Sequence, residues 1–359
     1  MRGPAVVVAL AVVGLGASVL SFVARAQPGA EGRVPQLRVD PAWPKPLPNR
    51  WLMGQAAGVA VDAQDHVWVL QRPRTLTEEP RSLCCVPAPP VLEFDPTGNL
   101  LQAWGGPGQG YDWPAVEHGI VVDYQGHVWI GGNGERDHQL LKLTRDGKLV
   151  LQIGRAGMTG GDGDTAHLGR PANVAVDPAT NEVFVADGYK NHRVIVFDAQ
   201  TGAYKRHWGA DGRPPGDASV KSFGNPVHCV RFSRDGLLYV CDRSNNRIQV
   251  FKRDGTFVKE FVVAPATRGN GSVWDVDVSH DAPQTWLYTA DGENNHVWTL
   301  LRESGRVLAK FGRNGRQAGQ FLSVHNLAVD SRGHIYTTEV GSGKRVQKFL
   351  FKGTVPAEE

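Results

Sequence analysis

The sequence predicts an all-β fold, a six-bladed β-propeller, on three observations. First, one pattern recurs six times: "AGVAVDAQDHVWVL" (57–70), "HGIVVDYQGHVWIG" (118–131), "ANVAVDPATNEVFVAD" (172–187), "HCVRFSRDGLLYVCD" (228–242), "WDVDVSHDAPQTWLYTAD" (274–291) and "HNLAVDSRGHIYTTE" (325–339). Each copy is an alternating strand, a polar turn and a second apolar strand. Second, a further strand follows in most copies, as in "RVIVFD", "RIQVFK" and "RVQKFL". Third, Gly-rich stretches such as "HWGADGRPPGD" and "FGRNGRQAGQF" lead from one copy to the next. No copy can bury its apolar faces alone, so the copies must pack as blades around a ring.

The elements follow in order. Residues 1–26 carry one Arg near the start, a long apolar run and Ala24-Arg25-Ala26, the A-x-A pattern of a secretory signal peptide cleaved after Ala26. The alternative is retention of that run as a membrane anchor, because it approaches the roughly 20 residues that span a bilayer. Residues 27–50 read as an N-terminal arm, 51–351 as the propeller and 352–359 as a flexible tail; residues near "QLRVD" (36–40) are expected to complete the ring by pairing with the last blade. The expected location is secreted or periplasmic, with no other segment apolar enough to span a membrane.

The 359 residues carry 39 Lys plus Arg against 36 Asp plus Glu, with neither sign in a long run, which excludes a nucleic-acid stripe or an acidic tail. The expected partner is a small-molecule or peptide substrate. Export allows disulfides. Pairing the hairpin about Arg234-Asp235-Gly236 sets Cys229 opposite Cys241, as a cross-strand disulfide or two buried thiols. Cys84 and Cys85, adjacent in a long loop, have no assignable partner.

The residue just before each first-strand pattern is Ala57, His118, Ala172, His228, Trp274 and His325 in blades one to six. Histidine occupies alternate blades. Since first strands line the channel of a propeller, His118, His228 and His325 point at one spot with approximate threefold symmetry. That is the ligand set of an open zinc site, three nitrogens with a fourth position left for water or substrate. A second set, His66, His127 and His334, falls nine residues later at the hairpin turns of adjacent blades and is assigned to solvent or turn packing, as are His192 and His296.

The turns "ADGYKNHRVIVFD" (186–198) and "CDRSNNRIQVF" (241–251) resemble those of NHL repeats, in which an Asp shortly before Asn and Arg knits the blade together. With the histidines in place, residues 54–350 resemble the peptidyl-α-hydroxyglycine α-amidating lyases, most specifically over "RPANVAVDPATNEVFVADGYKNHRVIVFD" (170–198). The resemblance implies zinc on His118, His228 and His325, catalytic roles for Tyr189 and Arg72, and a carbinolamide substrate that falls apart once its hydroxyl loses a proton. It also implies a calcium bound by the carbonyls of Val59 and Ile120 and by the residue after the third histidine. That residue, an aspartate in the family, is Asn326 here, which removes a charge. Ser323 replaces a methionine of the family near the metal, and the loop "PRTLTEEPRSLCCVPAPP" (73–90) is inserted directly after Arg72. Two other functions remain open: a non-catalytic NHL propeller that binds a peptide, glycan or protein, and a metal-dependent hydrolase or lactonase.

Overall fold

The computed structural model describes residues 32–78 and 83–357; the signal segment and its cleavage site lie outside them. Six four-stranded sheets form the blades. Their innermost strands are Gln55–Val61, Glu117–Val122, Asn173–Asp177, Val227–Phe232, Asp275–Val278 and Val324–Val329. The apolar clusters do not belong to single blades. Phe184 and Trp208 of blade three pack with Val230, Val240 and Phe251 of blade four, and Cys229 and Ile248 of blade four pack with Val276 and Leu287 of blade five. This is why the repeat cannot fold singly: each sheet offers two apolar faces and needs a neighbour on both.

The ring is closed by the N-terminal strand. Arg33–Asp40 pairs antiparallel with Arg345–Pro356 as the outermost strand of blade six, with Leu37 opposite Phe351 and Val39 opposite Phe349. The pairing expected near residues 36–40 is present and begins at Arg33, so residues 33–40 join the propeller rather than the arm, and residues 352–356 join it rather than the tail. Alternation decides this, since Leu37 and Val39 pack on the cluster containing Phe349 and Phe321 while the intervening residues are polar.

Two turn motifs recur, each in three of the blades. Asp62, Asp123 and Asp330 end first strands, and each accepts the N–H groups two and four residues on. The second oxygen of each accepts from the aromatic residue six positions later: Trp68 Nε1 at 3.0 Å, Trp129 Nε1 at 2.9 Å and the Tyr336 hydroxyl at 3.1 Å. The other motif ends second strands. Asp187 and Arg193, both fully buried, pair at 2.9 Å, and the guanidinium also donates to the carbonyls of Asp162, Asp164 and His167. Asp242–Arg247 at 2.6 Å and Glu339–Arg345 at 2.5 Å repeat the arrangement. The ion pair thus ties the second strand to the loop arriving from the preceding blade, and it fixes whatever follows the acidic residue.

Candidate metal centre

His118, His228 and His325 each sit where the pairing of first and second strands slips, between Glu117 and Ile120, Val227 and Cys229, and Val324 and Leu327. Side chains of a regular blade strand face the neighbouring blades. A bulge re-aims one of them, here toward the axis. The three rings meet with centroids 4.7, 4.8 and 4.9 Å apart and planes at 74–81°, and all three side chains are at most 2% exposed.

The non-histidine blades explain the alternation. His118 Nδ1 donates to the carbonyl of Ala172 at 2.8 Å, His228 Nδ1 to that of Trp274, and His325 Nδ1 to that of Ala57 at 2.7 Å. Each acceptor is the residue at the matching position of the next blade. A carbonyl accepts only, so every Nδ1 carries the proton and every Nε2 keeps its lone pair. Burial holds all three imidazoles neutral. It pushes the pKa of His118 and of His228 well below the usual histidine value, aided by neighbouring His325 and Arg243 respectively, and brings His325 down to about 3, with Arg72 the next contributor. One nitrogen from each ring lies within 4.8 Å of the others, against about 3.3 Å for ligands of a tetrahedral ion at 2.0–2.1 Å. Neutral, buried, converging imidazoles with fixed tautomers fit such an ion.

Tyr189 stands over this centre. Its hydroxyl is 2.8 Å from His118 Nε2 and 3.1 Å from His228 Nε2. The residue follows Asp187 and Gly188, so the buried Asp187–Arg193 pair places it. Gly188 is required there because a Cβ would run into the Val227 backbone of blade four.

Arg72, expected as the cation beside Tyr189, interacts electrostatically with that tyrosine and with His118 and His325. It donates to the Glu117 carbonyl at 2.6 Å, to Gln55 Oε1 at 2.9 Å and to Asn133 Oδ1 at 3.4 Å. A guanidinium hydrogen-bonded to the Tyr189 hydroxyl belongs to Arg243, which sequence reading missed: Nη1 donates to the hydroxyl at 3.3 Å, and the group lies 4.5 Å over the Trp274 ring. Its Nε has no partner among the described residues. A signal was present. Gly54, Gly169 and Gly224 donate their N–H groups to Gln71, Asp187 and Asp242 in blades one, three and four. Arg72 and Arg243, each one residue beyond, occupy the same repeat position.

The expected calcium ligands stand differently. Asn326 Oδ1 accepts from His325 Nδ1 at 2.6 Å and Nδ2 donates to Asp275 Oδ2 at 2.9 Å, so the amide is already engaged on both sides. The carboxylate at this level comes from Asp275 of blade five, fully buried, with Oδ1 unpartnered among the described residues and its pKa pushed up to about 6 by burial. Val59 and Ile120 lie on the inner strands of blades one and two. A cavity of about 690 Å³ opens at the other channel mouth, lined by Asp62, Asp177, Arg231, Arg253 and Asp277. All three of these carboxylates are engaged in ion pairs, Asp177 with Arg253 at 2.5 Å, Asp62 with Arg145 at 2.9 Å and Asp277 with Arg231 at 3.5 Å.

The fold and this centre define an NHL-repeat six-bladed propeller with three histidines converging on its axis. Comparison with known proteins gives its relations. The NHL repeat family model matches residues 168–197 and 227–251. Peptidylglycine alpha-amidating monooxygenase of Rattus norvegicus is 32% identical over 228 residues, covering 59% of this chain and 22% of the relative. Peptidyl-alpha-hydroxyglycine alpha-amidating lyase 2 of Drosophila melanogaster is 26% identical, covering 71% and 59%. NHL repeat-containing protein 3 of Mus musculus is 28% identical, covering 88% and 84%. Among solved structures, one described as a streptogramin B lyase has a TM-score of 0.53 at 10% identity, covering 90% of this chain and 100% of that one, which speaks for the fold. The chain is thus an NHL-repeat propeller related to the peptidyl-hydroxyglycine lyases, and it spans about a fifth of the length of the rat relative.

Proposed function

We propose that the chain is a zinc-dependent carbon–nitrogen lyase that cleaves an α-hydroxyglycine-type carbinolamide to glyoxylate and an amide. The observation that carries this reading is the Tyr189 hydroxyl within 3.1 Å of two of the three converging Nε2 atoms. The triad would hold zinc, which supplies Lewis acidity to the substrate's hydroxyl oxygen. Tyr189 takes the hydroxyl proton. The electron pair left on oxygen forms the carbonyl, the C–N bond breaks, and the departing amide nitrogen gains a proton, so no water is consumed. Arg243, donating to the same phenolic oxygen, stabilises that oxygen in its proton-accepting form. With an Nε that has no partner among the described residues, Arg243 also offers a carboxylate a planar donor edge, and Arg72 adds positive charge nearby. The name of the fly relative supports the reaction class. Pairing of all four cysteines supports an oxidising, exported location.

Incubation of the zinc-loaded protein with α-hydroxyhippurate tests the proposal. Glyoxylate and benzamide are expected in equal amounts, and neither above buffer rejects the activity. The coverage shared with NHL repeat-containing protein 3 favours a second reading, a non-catalytic binding propeller, under which Tyr189→Phe has no biochemical effect. Lactones in the same assay separate a hydrolase from a lyase.

A further inference from the structure

The four cysteines form two disulfides in opposite surroundings. Cys229 and Cys241 pair across the first two strands of blade four, with both side chains fully buried. Cys84 and Cys85, which sequence reading left unassigned, are bonded to each other. Cys84 is exposed, Cys85 half-buried, and the preceding Leu83 is 78% exposed.

We propose that Cys84–Cys85 is a thiol–disulfide exchange site. Its reaction partners are small dithiols, its reduced form is a vicinal dithiol, and its redox state controls the loop behind Arg72. In the exchange a thiolate of the reductant attacks one sulfur and displaces the other. The reductant's second thiol then resolves the mixed disulfide, so two cysteine thiols form and the reductant leaves as its cyclic disulfide. Access decides which pair reacts, since the attacking thiolate must reach a sulfur along the S–S axis. The pair within blade four offers no approach while the blade is folded.

The loop is anchored on both sides of the bond. Upstream, Thr75 Oγ1 accepts the Gln55 N–H at 2.7 Å, Lys344 Nζ donates to the Thr75 carbonyl at 2.7 Å, and Leu76 is buried. Downstream, Val86 N–H donates to the Arg50 carbonyl at 3.0 Å and Ala88 N–H to that of Leu52 at 2.9 Å, forming a two-residue parallel pairing. Cys85 immediately precedes that short pairing. A bond between adjacent residues restrains their backbone, and opening it restores freedom next to an anchor only two residues long. The upstream anchor begins at Arg72, whose carbonyl accepts from Thr75 Oγ1 at 2.7 Å.

The experiment uses the oxidised full-length protein. A low concentration of dithiol reductant without denaturant, followed by alkylation and peptide mapping, is expected to label Cys84 and Cys85 about tenfold faster than Cys229 and Cys241. Phenylarsine oxide, added after reduction, is expected to protect both as a one-to-one adduct. Hydrogen exchange in segments 73–78 and 83–90 should rise on reduction. The Cys84→Ser/Cys85→Ser variant should exchange at the faster rate with or without reductant. Labelling of the blade-four pair first, or at an equal rate, overturns the assignment, as does alkylation of Cys84 or Cys85 before any reductant is added. Unchanged exchange after reduction overturns control of the loop. None of these readouts depends on turnover.

Discussion

Two sets of three histidines, nine residues apart in the repeat, have opposite fates. His118, His228 and His325 are buried, each gives its Nδ1 proton to a carbonyl of the next blade, and each directs Nε2 to the axis. His66 and His127 lie at hairpin turns with side chains 28% and 26% exposed, beside carboxylates: His66 Nδ1 is 2.8 Å from Glu93 and His127 Nδ1 is 3.4 Å from Asp123. His334 accepts the Phe351 N–H at 3.0 Å. Burial in the channel holds the inner rings neutral. Repeat position, more than residue type, sets the chemistry.

Removing a member of the inner set should break this contrast most severely. In His228→Ala, bound zinc is expected to fall from about one per chain to near zero, a loss in affinity beyond about 100-fold, measured by competition with a chromophoric chelator. Zinc retained at full strength would place the metal elsewhere. Tyr189→Phe comes next and separates binding from chemistry: turnover of α-hydroxyhippurate should fall by about 10²–10⁴-fold while zinc stays bound.

The inner set was legible because alternation over six blades is hard to produce by accident and because an aligned repeat converts position into depth. What sequence withheld has physical causes. Arg243 lies in a polar turn, where an arginine is ordinarily solvated, and its role appears only when the Asp242–Arg247 pair holds that turn against Trp274. Ring closure was legible only in part, since long-range pairing of Arg33–Asp40 with Arg345–Pro356 leaves a weak local signal at each end. Asn326 could be named as a departure, but not that its amide bridges His325 to Asp275.

Acid should sharpen the comparison in the metal-free protein. The pKa of His325 is depressed to about 3 when folded and returns to about 6.5 when unfolded. The unfolded chain therefore binds the extra proton between these values. Stability from the neutral ring is complete above pH 6.5 and is lost as pH falls toward 3. At pH 5 the loss from this residue is about 2 kcal/mol. Asp275, raised to about 6, works in the opposite sense and regains stability on acidification. Urea unfolding at pH 7.5 and pH 5 should therefore be compared between the chelator-treated protein and His325→Gln, so that titrations common to both cancel. The variant should lose about 2 kcal/mol less over this interval, and equal losses would show that the channel admits the proton.

The smallest effect belongs to the outer set. His127 Nδ1 has no hydrogen-bond partner among the described residues, and its backbone N–H, which Asp123 accepts at 2.9 Å, survives any side-chain change. The Asp123 contact to Trp129 Nε1 also persists, so the turn keeps the bonds that define it. His127→Gln should shift stability by no more than about 0.5 kcal/mol and leave zinc affinity and turnover unchanged. A loss of metal from that variant would mean that the turn histidines communicate with the axis through the length of the inner strand. The contrast between the two sets would then be one of degree, and a histidine's place along the strand would no longer predict its chemistry.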